Sequence, residues 1–342
     1  MILNIFATSL ILFLSIYFTL KKFNFLIDKK DLSFHKKLVI FSKKPILMGG
    51  IYLCIIVLFF FPNNFIYLKI ITVLILLVGL LSDIGYLNSP LKRILIQFVL
   101  VLFLVLVDKI FIRSLSLDFL DNILKIYFIN ILLTIFCFLV LVNGTNFLDG
   151  LNSLVSGYYI IIILCLLFLS QQNSINLFYE KEILYFFLGL FIFFIFNIFG
   201  LTFLGDGGAY IIALLIGYIL INNFNLNTSI SPYYVALLLW YPAFENLFSL
   251  SRRIFLHKKV SMPDNLHLHQ LIYLKIKKKL IKNEKIINSS SSLFILSYNL
   301  IILAIGTNYY NSTKILVGLI LINLLFYCFL YYFFSKNSVQ YK

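Results

Sequence analysis

Apolar runs separated by short polar breaks occupy almost the whole chain. Read between the breaks, they fall near residues 2–20, 46–61, 66–81, 91–107, 123–142, 153–170, 183–199, 208–222, 232–250, 293–306 and 315–334. An α-helix needs about 20 predominantly apolar residues to cross a hydrocarbon layer. The pattern therefore predicts an all-α, polytopic membrane bundle of ten or eleven transmembrane helices, with boundaries set to within several residues. The runs 46–61 and 293–306 are short for a full crossing, which admits helices buried within the bundle or broken along their length.

Composition agrees with the pattern. The chain is 62% hydrophobic and 12% charged, with a mean hydropathy of +1.01, whereas soluble domains carry roughly 25% charge and less than half apolar residues. No soluble packing hides so much apolar surface, so lipid is the expected solvent. The run from Ile2 to Leu20 lacks a basic leader and a small-residue cleavage site, and Lys21-Lys22 follow it, so it reads as a retained helix. Cys54, Cys137, Cys165 and Cys328 all fall inside apolar runs without metal-ligand spacing, which argues against disulfides and zinc. Without an internal repeat or a Pro-rich or Gly/Ser-rich linker, residues 1–342 read as a single domain.

The net charge of +15 would point to nucleic acid in a soluble protein. Here the basic residues sit between apolar runs, so topology explains them and no nucleic acid is expected. With the 21–45 loop placed in the cytoplasm, alternate loops and the tail collect 22 of the 28 basic residues, eight in 21–45 and ten in 251–292. Lys69, Lys109, Arg113, Lys125, Lys181 and Lys314 remain on the other side. The positive-inside rule then sets the N-terminus outside and the C-terminus in the cytoplasm. Lys275, Lys278, Lys279 and Lys282 form a stripe in the segment from Leu271 to Lys285, read either as loop charge or as an interfacial helix facing anionic membrane lipids.

Three of the thirteen acidic residues, Asp83, Asp149 and Asp206, stand where an apolar run meets a cytoplasmic loop. Two spans separate each from the next, and an even number of crossings returns the chain to the same face. Ionisable groups at such depth are costly and usually functional; the plain alternative is that each caps a helix. Their neighbours favour chemistry. One run reads Asn143-Gly144-Thr145-Asn146-Phe147-Leu148-Asp149-Gly150-Leu151-Asn152, and another Phe203-Leu204-Gly205-Asp206-Gly207-Gly208. Glycines let backbone N–H groups approach an anion, and a carboxylate suits a hard cation such as Mg2+, which retains waters and shares substrate phosphates. Lys92 and Arg93 follow Asp83, and Arg252, Arg253, His257, His267 and His269 lie in the longest inside loop. The pair His267-Leu268-His269 lacks a third ligand at zinc spacing.

At these residues the sequence resembles the polyprenyl-phosphate N-acetylhexosamine-1-phosphate transferases, glycosyltransferase family 4, which includes the phospho-MurNAc-pentapeptide translocase and the eukaryotic dolichyl-phosphate enzyme. The matching pieces are Lys43-Lys44-Pro45, Gly49-Gly50, Ser82-Asp83, Asn143 to Asn152, Phe203 to Asp206 and Pro263 to Gln270, in family order. The resemblance implies a transmembrane catalytic domain with Asn146 and Asp206 as magnesium ligands, Mn2+ being a substitute. It implies a uracil pocket of Gly150, Asn152 and Phe203, with Lys92 at the diphosphate and Asp149 as a polar anchor near the metal. His267 and His269 resemble the loop histidines that engage the donor's sugar-phosphate part. Asp83 would orient or deprotonate the acceptor phosphate, with Arg252 and Arg253 as further substrate-binding cations. Three departures stand out: Ser82-Asp83 replaces paired aspartates, Asn152 replaces the aspartate of many members, and the loop reads His-Leu-His-Gln, so that Gln270 offers only an amide.

The implied reaction transfers a sugar 1-phosphate from a UDP-sugar to polyprenyl (undecaprenyl) phosphate at a bacterial cytoplasmic membrane, releasing UMP and initiating surface-polysaccharide synthesis. Three rival readings address the same residues. A transporter or flippase of lipid-linked sugars would place its polar residues at the bilayer midplane rather than at one face. A CDP-alcohol phosphatidyltransferase would need Ala-Arg and two later aspartates after Asp149-Gly150, which are missing. A catalytically idle relative is suggested only by Ser82. The sugar and the oligomeric state, a homodimer included, are left open.

Overall fold

The computed structural model describes residues 2–26, 45–172, 175–257, 266–279 and 284–336. Lys43-Lys44, Pro263-Asp264-Asn265, Lys282 and most of the basic 21–45 loop lie outside the described residues.

In chain order the helices are α1 (Ile2–Lys22), α2 (Gly49–Phe60), α3 (Ile66–Ile84), α4 (Pro90–Val107), α5 (Asp118–Leu124), α6 (Tyr127–Leu148), α7 (Leu154–Gln172), α8 (Glu180–Ile198), α9 (Gly205–Leu226), α10 (Pro232–Leu238), α11 (Trp240–Phe255), α12 (Leu268–Lys279), α13 (Glu284–Asn308) and α14 (Thr313–Lys336). Strands β1 (Ile46–Leu47) and β2 (Thr202–Phe203) form a two-residue parallel pair, Ile46 opposite Thr202 and Leu47 opposite Phe203. Among the described residues, nine helices are long and apolar enough to cross a membrane, and Gly49–Phe60 is a shorter apolar one. The protein is a polytopic membrane helical bundle.

Each expected apolar run contains a helix, with two changes of shape. The run 232–250 is broken at Leu239, between α10 and α11. Pro242 sits in the first turn of α11, where its missing N–H costs nothing; deeper in a continuous helix it would remove a ladder bond and clash with the preceding turn. The run 293–306 belongs to the 25-residue α13, whose polar first half is helix instead of loop and buries Asn288, Ser291 and Ser292.

Helix α9 is the axis of the fold. Every residue from Gly205 to Leu220 is buried, and α2, α3 and α6 surround it. Glycines make the approach close enough. A Cβ on Gly79 of α3 would meet the backbone of Gly207 and Asp206, and one on Gly50 of α2 would lie 2.7 Å from the nitrogen of Gly208. The outer helices α1, α4 and α14 expose large apolar side chains such as Ile11, Leu95 and Leu325, as expected where lipid is the solvent. Cys54 and Cys165 are buried, while Cys137 and Cys328 are exposed; all four are free thiols.

Candidate functional site

Local chain logic brings Asp83 and Asp206 together. Helix α3 stops at Gly85, which takes a left-handed φ of 93°. Helix α4 restarts with Ser89 as N-cap and Pro90 in its first turn, so Asp83 and Arg93 flank one short connection. From the other side, the N–H of Gly50 donates to the Leu204 carbonyl at 3.1 Å, fixing the chain after β2. Gly205 then turns into α9 at φ 75°. The N–H of Asp206 points out of the new helix end and donates to both oxygens of Asp83, each at 3.1 Å. A Cβ at Gly205 would stand 2.7 Å from Asp83 Oδ2, so the contact needs glycine there. The partial positive charge of the α9 N-terminus favours the Asp83 carboxylate.

The Asp206 side chain, 6% exposed, is held by a different set. Ser82 Oγ donates to Asp206 Oδ2 at 2.7 Å, and Arg93 Nη1 donates to the same oxygen at 2.9 Å and to Ser82 Oγ at 2.7 Å. Ser82 thus closes a polar triangle where a second aspartate would have added a third negative charge. Arg93, which spacing marks only as the neighbour of Lys92, is a cation on this carboxylate. Lys92 points elsewhere: its side chain is exposed and forms no hydrogen bond or ion pair with a described residue. Adjacent helical residues diverge by about 100°, so spacing alone did not separate the two.

The Asn143–Asn152 run closes the α6 end of the site. Asn143 Nδ2 donates to Gln97 Oε1 of α4 at 3.0 Å, and Asn146 Nδ2 donates to the Tyr210 hydroxyl at 3.3 Å, one helical turn beyond Asp206. Asp149 is the C-cap residue of α6 and is partly buried. The backbone N–H of Asn152 donates to Asn288 Oδ1 at 2.7 Å. The next residue, Ser153, donates its N–H to Asn197 Oδ1 at 2.6 Å, and Asn197 Nδ2 donates to the Thr202 carbonyl at 2.7 Å beside Phe203. Asn152 and Phe203 are therefore tied into one corner through Asn197, with Gly150 two residues before Asn152. The Asn152 side-chain nitrogen is buried with no hydrogen-bond partner among the described residues.

The histidines stand against Gly150. A Cβ on Gly150 would lie 2.7 Å from His269 Nε2. His269 is fully buried, and neither ring nitrogen has a hydrogen-bond partner among the described residues. Burial, helped by His267, pushes its imidazole down to about 3, so the ring is neutral. His267 stacks on His269 with ring centres 5.6 Å apart and leans on Phe147 at 5.1 Å. The Arg253 guanidinium lies over the other ring in this group, Phe147, at 5.8 Å. Arg252 instead donates to the Leu266 carbonyl and the Tyr331 hydroxyl, fastening α11 to the loop end and to α14. His267 Nδ1 is 2.9 Å from Glu245 Oε1, and the Tyr327 hydroxyl donates to Glu245 Oε2 at 2.8 Å. Glu245 was missed from sequence; its one signal was to be the lone acid in the apolar run 232–250.

Among the described residues no three His, Cys, Asp or Glu side chains gather for a metal ion. The oxygen donors nearest one another are the carboxylate of Asp83, which accepts the Asp206 backbone N–H, and the carboxylate of Asp206, which accepts Ser82 and Arg93; the Asn146 amide bonds Tyr210 one turn along α9. Hard oxygen donors in that number suit magnesium, which keeps waters and takes substrate phosphates, and do not suit zinc.

Residues 65–223 match the model of one family, described as Glycosyl transferase family 4. The match spans Asp83, Lys92, Arg93, Asn146, Asp149, Gly150, Asn152, Phe203 and Asp206, and ends before Glu245, Arg252, Arg253, His267 and His269. No curated protein matches the chain.

Proposed function

With residues 65–223 identified as glycosyl transferase family 4 sequence, we propose that this membrane transferase moves an N-acetylhexosamine 1-phosphate from a UDP-sugar to polyprenyl phosphate. An oxygen of the lipid phosphate attacks the donor's β-phosphorus, the bond from that phosphorus to the bridging oxygen breaks, and UMP leaves. The observation that carries the reading is the meeting of Asp83, Asp206 and Arg93 at adjoining helix ends of a lipid-embedded bundle. Lipid phosphate and nucleotide both reach such a place without pulling the acceptor tail from hydrocarbon, where each methylene gains roughly 0.8 kcal/mol.

Phosphoryl transfer depends chiefly on positioning and charge neutralisation. Asp206 and Asn146 would hold Mg2+, or Mn2+ in its place. When bound, the ion neutralises charge on the diphosphate. Arg93 sits next to that position, and Lys92 is a neighbouring cation that a donor phosphate could recruit. Asp83, fixed by the α9 N–H, orients the acceptor phosphate and takes its proton where one remains. Asp149 anchors the loop beside the metal ligands. Gly150, Asn152 and Phe203 would receive the uracil, the Asn152 side-chain nitrogen, without a partner among the described residues, offering a donor to a base carbonyl. His267, His269 and Arg253 would face the sugar-phosphate side, and Arg252 would support them through the loop end. No covalent nucleophile is required. The site would face the cytoplasm of a bacterial inner membrane, and the product would start a lipid-linked surface glycan.

The test is a panel of UDP-sugars offered to the purified protein with Mg2+, with and without polyprenyl phosphate. The reading expects UMP release from UDP-N-acetylhexosamines only when the lipid phosphate is present. UMP release indifferent to the lipid, or from no donor at all, would contradict it, and movement of a lipid-linked sugar without UMP would favour the transporter.

A further inference from the structure

Outside the residues matched by the family model, a buried acid, a histidine and a tyrosine from three separate elements meet. Glu245 of α11 is 1% exposed. One of its oxygens is 2.9 Å from Nδ1 of His267, at the start of α12, and the other accepts the Tyr327 hydroxyl of α14 at 2.8 Å. An ionised carboxylate only accepts hydrogen bonds, so with both oxygens engaged the His267 proton sits on Nδ1. The ring cannot turn over without taking Nδ1 away from Glu245. Carboxylates behind imidazoles fix tautomer and orientation in this manner and make the far nitrogen more basic.

From this geometry we infer that Glu245 is a positioning residue for His267, with Tyr327 holding the carboxylate in place, so that Nε2 is the nitrogen offered to a phosphoryl oxygen of the donor. The part concerning the donor rests on the proposed function; the geometry of the pair does not. Among the described residues, the charged and titratable groups near the ring include Glu245 and, across Phe147, Arg253 of α11, His269 of α12 and, on the Glu245 carboxylate, Tyr327 of α14.

The experiment uses the full chain in detergent and two readouts. In steady-state UMP release, Glu245→Gln should lower kcat by about tenfold or more while donor KM stays within about threefold. The same change in a His267→Ala background should cost less than about twofold, because coupled residues are not additive. In nitrogen-15 spectra of labelled histidine, the His267 signal, assigned by its loss in His267→Ala, should report a proton on Nδ1. Glu245→Gln should shift it toward the other tautomer. Fully additive kinetic losses, or a histidine signal untouched by Glu245→Gln, would overturn the inference. Should Glu245→Gln fail to fold, Tyr327→Phe takes its place: a shifted His267 signal supports the relay and an unshifted one contradicts it. If no donor is turned over by the parent protein, the proposed function fails while the histidine spectrum still decides the pair.

Discussion

Both carboxylate oxygens of Asp83 accept the backbone N–H of Asp206, each at 3.1 Å, so the last turn of α3 is docked on the first turn of α9. The contact does two things at once. It sets one carboxylate against the positive end of a buried helix, and it holds the other, on Asp206, within reach of Arg93.

Asp83→Asn should lower the turnover of UMP release by about 100-fold or more, the range expected for a lost proton acceptor or orienting charge. Donor KM should change much less. Unchanged turnover would remove Asp83 from the acceptor side of the reaction.

Arg93→Ala should lower thermal stability by roughly 1–3 kcal/mol, between the values for exposed and fully buried pairs, because the Arg93 side chain is 20% exposed and that of Asp206 only 6%. Arg93→Lys should recover part of the loss, since a single ammonium cannot reproduce the planar fork. Lys92→Ala, on an exposed side chain, should leave the melting temperature unchanged. Equal melting for Arg93→Ala and the parent protein would show that the pair is not holding α4 to α9.

Gly79→Ala places a methyl against the backbone of Gly207 and Asp206. Forced into that space it should cost about 1–3 kcal/mol of stability or more, and by separating α3 from α9 it should also reduce UMP release. Gly318→Ala meets nothing within 4 Å and should melt like the parent. Similar melting for both variants would contradict the close glycine packing around α9.

Stability should fall as pH drops from 7 toward 5. His269 unfolded titrates near its ordinary 6.5, whereas burial holds it down to about 3 in the fold. Between these values the unfolded chain binds more protons, so stability rises with pH across the window. At about 1.4 kcal/mol for each pH unit, this one group accounts for about 2 kcal/mol between pH 6.5 and 5. Melting curves at pH 7 and 5 should therefore differ more for the parent than for His269→Gln, and an identical slope would count against a neutral, buried His269.

Much of the fold was readable because membrane helices are specified locally: long apolar runs with polar breaks leave few alternatives to a bundle. The break at Leu239 was also written in the chain, since Pro242 cannot sit deep in a continuous helix, but an unbroken count of apolar residues passes over it. Asp83 and Asp206 could be selected because acids are scarce and each borders an apolar run. Their direct contact could not, since it depends on Gly205, Gly79 and Gly207 letting two backbones approach. The contact of Arg93 with Asp206 was not legible because rotation about a helix separates adjacent residues, here Lys92 and Arg93, that spacing treats alike. Glu245 was overlooked because its partners are non-local, His267 lying beyond a loop and Tyr327 on the last helix.

The most direct test of the central claim follows the β-phosphorus itself. A UDP-N-acetylhexosamine labelled at that atom is incubated with purified protein, Mg2+ and polyprenyl phosphate, and the lipid and water phases are separated. The account predicts that the label enters the lipid in step with UMP release and that Asp206→Asn abolishes both while the protein still folds. Label remaining in the water phase as UDP, or transfer undiminished by Asp206→Asn, would contradict it.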